Sequence, residues 1–235
     1  MNIFLSALTL FFFNTEIPAK ISYMVGTVHI ERGGKLYSAV LNTPLYVDDI
    51  ITTKDESECE VQFSNYSLIH LEPNSSIKIE RKEETEKGIF HRIFASLGEI
   101  VAKVTKLNKG DEYEVRTEAA QAFIRGTTFK TRIEEDGSSS FSVFEGKVAV
   151  KSVLEGAKEV LLDEHFKSKI KKGEPAPFID KLSELEIVTF AEEFKEFIKR
   201  GKILDELRKK FEEEKEKKKK ELLEEGKKKI KGLFK

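Results

Sequence analysis

From Val25 to about Ile170, apolar residues fall at every second position in short runs, and turn residues separate the runs. Val28 and Ile30 alternate with His29 and Glu31 before Gly33-Gly34, a hairpin signal. Cys59, Val61 and Phe63 share one face of a later run. Tyr113, Val115 and Thr117 share a face further on, and Phe129, Thr131 and Ile133 alternate with Lys130, Arg132 and Glu134. Asp136-Gly137 marks a hairpin into residues 141–144, and Val148 with Val150 opens the last clear run. Glu72-Pro73-Asn74-Ser75 reads as a turn, since proline cannot donate to a β ladder. A period of two puts side chains on alternate faces of a strand, so the pattern predicts a mainly β fold. Short strands at this spacing fit an antiparallel β roll or sandwich, or a short β-solenoid-like stack. Residues 88–97 are the exception, because Ile89, Ile93 and Phe94 fit a short helical turn.

The period changes after Pro175-Ala176-Pro177, which reads as a boundary between a β domain over residues 21–176 and a helical tail over 177–235. Leu182, Leu185, Val188, Phe190, Phe194 and Phe197 recur at helical spacing, predicting an α-helix from about Asp180. Ser183 and Glu186 fit a capping box. Gly201 is expected to break or kink the helix. Leu204, Leu207 and Phe211 carry the apolar stripe onward as a candidate docking seam for a partner or a second copy. The stretch beyond is Glu- and Lys-rich on all sides, as in a solvated helix held by i,i+4 pairs. Attraction of this basic tail to anionic lipid or a peptidoglycan-associated polymer is a further reading, and nucleic acid is expected only if the chain is not exported.

Residues 3–13 form an apolar run of about signal-peptide length, followed by small and polar residues to Ala19. Residues 1–20 are therefore expected to direct export to the periplasm or cell envelope, with cleavage near Ala19. The run has no preceding Lys or Arg, so the alternatives are an uncleaved anchor or the first element of a cytoplasmic domain.

Charge adds little globally, because 41 basic residues balance 42 acidic ones. Charged residues are 35% of the chain, Trp is absent, and Gln occurs only at Gln62 and Gln121, a thermophile-like balance. The single cysteine, Cys59, excludes an intramolecular disulfide and is expected to be a buried small apolar residue. His29, His70, His91 and His165 are scattered without metal-ligand spacing, and no phosphate loop or nucleophile elbow occurs. No cofactor, metal or catalytic residue is expected. The many carboxylates alternate with apolar residues and read as solvated faces.

Several segments line up, in order, with the hallmarks of one known family. Val25-Gly26-Thr27-Val28 opens the series. The segment 45–53 contains Asp49 and Thr52 and has Asp48 where glycine is usual. Residues 68–75 supply a strand and an Asn-Ser turn, and Leu97-Gly98-Glu99-Ile100 carries a central glycine. The most specific stretch, 117–129, ends in Arg125-Gly126-Thr127-Thr128-Phe129, and Phe144-Glu145-Gly146-Lys147 closes the series. Over residues 25–172 the chain resembles the FecR domain family. Gly26, Asp49, Thr52, Gly98, Arg125, Gly126, Thr127 and Gly146 are read as scaffold positions, the glycines permitting positive φ or close backbone approach at strand entries.

The resemblance implies a β domain best known in regulators that receive a signal in the bacterial periplasm. Those regulators carry a sigma-factor-binding segment and a membrane helix ahead of the domain. Only residues 1–24 precede Val25, so that role is not expected to carry over. The expected function is a non-enzymatic, exported module that binds an unknown envelope protein or ligand, with self-association through the C-terminal helix as a further expectation. The alternatives are a component of sigma/anti-sigma type envelope signalling, or a hydrolase with an unrecognised carboxylate site.

Overall fold

The computed structural model describes residues 19–64, 66–85, 88–104, 112–124 and 126–233. Its strands are β1 (Ala19–Val25), β2 (Val28–Arg32), β3 (Lys35–Ser38), β4 (Pro44–Leu45), β5 (Ile50–Thr53), β6 (Glu58–Phe63), β7 (Leu68–Leu71), β8 (Ser76–Thr85), β9 (Gly88–Lys103), β10 (Glu112–Arg116), β11 (Ala120–Ile124), β12 (Thr128–Ile133), β13 (Ser139–Glu145), β14 (Val148–Ser152), β15 (Val160–Leu162), β16 (Phe166–Ile170) and β17 (Phe178–Lys181). Two helices follow, α1 (Glu184–Glu193) and α2 (Lys195–Leu233). The chain is mainly β with a C-terminal helix, as its alternation predicts.

Hydrogen bonding links the strands into one large mixed sheet that folds into two layers. The first layer runs β4, β1, β6, β7, the end of β9, β12, β13, β16 and β17. The second runs β3, β2, β5, β8, the start of β9, β10, β11, β14 and β15. Of these pairings only β9 with β10 is parallel. The chain moves between layers every one or two strands, so each inward face supplies the other's packing surface. One continuous apolar core results, with Ile21, Val61, Ile100 and Phe129 from the first layer and Val28, Ile51, Ile77 and Val115 from the second.

Four of the layer changes fall at positive-φ glycines, Gly26, Gly98, Gly126 and Gly146. β9 pairs with β8 up to Leu97 and with β12 from Gly98, so it leaves one layer for the other between these residues. Gly98 has φ +84°, and a Cβ there would lie 2.6 Å from Ser75 Cα and 2.7 Å from Asn74 O. The Ser75 hydroxyl accepts from Glu99 N–H at 2.9 Å and fixes the crossing. Gly26, between β1 and β2, is arranged alike: Thr27 N–H donates to Ser57 Oγ at 2.8 Å. At Gly146 the Thr127 hydroxyl donates to Lys147 O at 2.8 Å.

Three expectations differ from the structure. Residues 88–97 are strand, because His91, Ile93 and Ala95 point into the core with a period of two. The prolines at 175 and 177 sit in the connection between β16 and β17, and β17 pairs with β16 through Lys181. Helix therefore begins only at Glu184, where Ser183 and Glu186 form the expected capping box. Gly201 does not end the helix. α2 continues through it, and a Cβ there would lie 2.9 Å from Lys103 Cγ, so glycine lets the helix lie close on the sheet.

Candidate functional site

The sequence-singled residues are spread over the fold rather than gathered in one place. Asp49 is fully buried and accepts two hydrogen bonds from Arg32 at 2.7 Å and one from Tyr46 N–H at 2.8 Å. It ties the 44–50 connection to β2. Asp48 has φ +72°, taking the left-handed conformation for which the family pattern carries glycine. Thr52 lies on the outer face of β5, with its hydroxyl 3.3 Å from Ser76 Oγ. Gly26, Gly98, Gly126, Thr127 and Gly146 occupy layer crossings. Arg125 lies outside the described residues, as do residues 1–18 of the expected signal segment. Cys59 is fully buried, and burial, then Glu60, push its thiol up to about 12.

The residues that do converge are those where the C-terminal helices cross the outer face of the first layer. Phe190, Phe194 and Phe197 repeat at helical spacing and bury against Leu68 and Val101, with Phe144, Ile198 and Leu204 around them. Phe190 stacks on Phe144, ring centroids 3.5 Å apart. Phe194 meets the edge of His70 at 5.8 Å and carries Lys130 Nζ 5.2 Å from its centroid. A groove of about 1130 Å³ runs along this junction, its charged lining including Glu58, Glu72, Glu99, Lys130, Arg132 and Lys167.

Ion pairs pin the helix at both ends of the apolar contact. Lys167 Nζ donates to Glu186 Oε1 at 2.7 Å. Lys167 and the Ser183 cap hold the Glu186 carboxyl down at about 2. At the other end Arg200 engages both oxygens of Glu60, its Nε–H donating at 3.1 Å, and its guanidinium lies 5.0 Å over the Tyr23 ring. Glu60 has only 1% of its surface exposed. The expectation of a solvated face on β6 therefore fails at this residue, because α2 covers it.

His70 sits between these groups. Its Nδ1 is 3.6 Å from Glu60, an ion-pair distance rather than a hydrogen bond, and its Nε2 is 3.4 Å from Glu72 and 3.5 Å from Glu58. Burial opposes the charged imidazolium, but Glu60 and Glu72 outweigh it and raise the pKa to about 9. Burial likewise opposes the Glu60 carboxylate, and His70 and Arg200 outweigh it, leaving its pKa lowered. The folded state thus binds the His70 proton more tightly than the unfolded chain, whose imidazole titrates at 6.5. Its contribution is fully present below pH 6.5 and disappears as pH rises through 9. The loss should reach up to about 3 kcal/mol. Denaturant unfolding at pH 6 and 9.5 checks this: His70→Gln should flatten the decline, and an equal decline in the variant would disprove the assignment.

Beyond Leu204 the helix leaves the sheet. Leu204 is half-buried in the Phe190 cluster, whereas Leu207 and Phe211 are 50% and 57% exposed. The expected docking trio is therefore divided between the body and an outlying arm. No helix among the described residues is long and apolar enough to cross a membrane.

Residues 49–149, from β5 into β14, match the family model described as FecR protein. A FecR domain spans residues 49–149. Two crystal structures, at 1.65 and 2.50 Å resolution, of a "putative anti-sigma factor" from Parabacteroides distasonis ATCC 8503 share the fold. Each has a TM-score of 0.50, with 16% and 18% identity, over 60% of this chain and 63% of that one. The chain thus spans under two thirds of that protein's length, and at such identity the likeness is one of fold. Among curated proteins, none is significantly similar. The FecR match leaves β1 to β4, β15 to β17 and both helices outside it, so the helix-covered face joins FecR strands to elements the family model does not include.

Proposed function

We propose that this chain is a non-enzymatic, partner-binding component of a cell-envelope signalling system of the sigma/anti-sigma type. The FecR domain is its body, and the helical arm beyond Leu204 is its docking element. The observation that carries the reading is the FecR domain itself, with a fold shared with a protein described as a putative anti-sigma factor. The state of the groove supports the non-enzymatic part: His70 is held protonated between carboxylates to about pH 9 and is covered by two Phe rings, so it is no free base near neutrality. Export by residues 1–20 belongs to the same reading. Ala19 is buried and paired with Leu45 and Phe63, so a cut that preserves β1 falls no later than the 18–19 bond.

Deleting the gene in its source organism and profiling transcripts tests the proposal. A discrete set of transcripts should shift, the full chain should restore them, and a chain ending at Leu204 should not. An unchanged profile, or equal rescue by the truncated chain, would sink it.

A further inference from the structure

The arm of α2 carries apolar residues at positions mirrored about its middle, with charges mostly of opposite sign at the mirrored positions beside them. Phe211, Lys215, Lys218 and Leu222 follow one another at spacings of three and four, so they lie along one side of the helix. That series is symmetric about the point between Glu216 and Lys217. Laid antiparallel about this point, Phe211 faces Leu222, and Lys215 faces Lys218. Most of the charges alongside then oppose one another by sign: Glu213 and Glu214 fall opposite Lys220 and Lys219, and Lys209 opposite Glu224, while the sequence positions 212 and 221 pair two glutamates.

We propose that the arm pairs antiparallel with the same arm of a second copy of this chain, centred between Glu216 and Lys217. This deepens the partner-docking reading of the arm, on which it rests, by naming the partner. Phe211, Leu222 and Leu223 are each more than half exposed, and with the stems of Lys215 and Lys218 they line a shallow hollow on the helix. The opposing copy offers Leu222 to Phe211 and Phe211 to Leu222, while the four central lysines extend their ammonium groups outward to water. A parallel, in-register pair is disfavoured. It would set Lys217–Lys220 against itself and Glu212–Glu214 against itself, where like charges repel. The pair depends on exposed charges, so it weakens as salt screens them beyond about 10 Å at 0.1 M.

The test uses the full chain in analytical ultracentrifugation. At 50 mM salt the mass should approach twice the 26.9 kDa of one chain, and at 1 M salt the association should weaken by about tenfold or more. Glu213→Lys with Glu214→Lys should give a monomer, as should Lys219→Glu with Lys220→Glu. An equimolar mixture of the two variants should dimerise again, because each supplies the sign the other lacks. Circular dichroism should show both variants still helical. Orientation is read by oxidation: chains bearing Phe211→Cys should cross-link to chains bearing Leu222→Cys and not to themselves. The buried Cys59 does not interfere. A monomer at low salt, a dimer untouched by both charge reversals, or self-cross-linking of Phe211→Cys would each overturn the proposal. A monomeric chain would still leave the transcript test to decide the signalling reading, and a silent transcript profile would leave the dimer intact.

Discussion

Gly98→Ala should cost at least about 3 kcal/mol of folding stability, while Gly33→Ala should cost only about 1 kcal/mol. Both residues have positive φ, +84° and +57°, so both substitutions place a Cβ in a conformation that L residues avoid. They differ in what the Cβ meets. At Gly33, in the β2–β3 hairpin, nothing lies within 4 Å. At Gly98 the new atom would sit 2.6 Å from Ser75 Cα and 2.7 Å from Asn74 O, and backbone of the neighbouring turn cannot swing aside as a side chain can. The clash also falls where β9 passes from one layer to the other, and β9 pairs with β7, β8, β10 and β12. Urea unfolding of the two variants beside the parent measures the difference. Equal losses would mean that backbone conformation alone, and not the close approach at the crossing, fixes glycine here.

The second large effect is expected from Phe194→Ala, which should release the helices from the sheet without unfolding the β layers. Phe194 is 4% exposed and touches Phe190, His70 and Lys130. Truncating a buried phenylalanine costs about 3–5 kcal/mol. The apolar contact beneath the helix is small, five buried residues, so a loss of that size removes most of what holds it. The ion pair at Glu186 cannot replace it. Lys167 and Glu186 are both substantially exposed, and pairs of that kind contribute about 1 kcal/mol or less. Glu60 and His70 would instead become hydrated, and the raised affinity of His70 for its proton should fall back toward that of a free imidazole.

The β body was legible in the sequence because strands such as β2, β11, β13 and β14 present apolar residues to one side, and period-two alternation needs no partner to be seen. Gly33-Gly34 and Asp136-Gly137 announced their hairpins for the same local reason. The covered face was not legible. Glu60 and His70 alternate with apolar neighbours as residues facing water would, and what covers Glu60 is Arg200, 140 positions along the chain. The phenylalanine stripe at 190, 194 and 197 showed that a helix would bury one side, but nothing local to it named the strands that receive it. Gly201 misled in the same way: its helix propensity is poor, and its reason for being there is the Lys103 side chain beneath it. Residues 88–97 show the reverse error, since Ile89, Ile93 and Phe94 fit a helical spacing only while the core-facing His91 and Ala95 are left uncounted. Of the family positions, Gly26, Gly98, Gly126, Thr127 and Gly146 stand at layer crossings and Asp49 is a buried anchor, whereas Thr52 lies on the outer face of β5 and Arg125 lies outside the described residues.

The central claim is that the β body and the first turns of the C-terminal helices form one clasped unit from which the rest of α2 extends. Hydrogen–deuterium exchange on the full chain and on Phe194→Ala tests it most directly. In the parent, amides of residues 187–204 should exchange slowly, as those of β7, β9 and β12 do, and protection should drop beyond Leu207 at high salt. In Phe194→Ala, protection of residues 187–204 should be lost while β7, β9 and β12 keep theirs. Rapid exchange over residues 187–204 in the parent, or protection there that survives the substitution, would contradict the clasp.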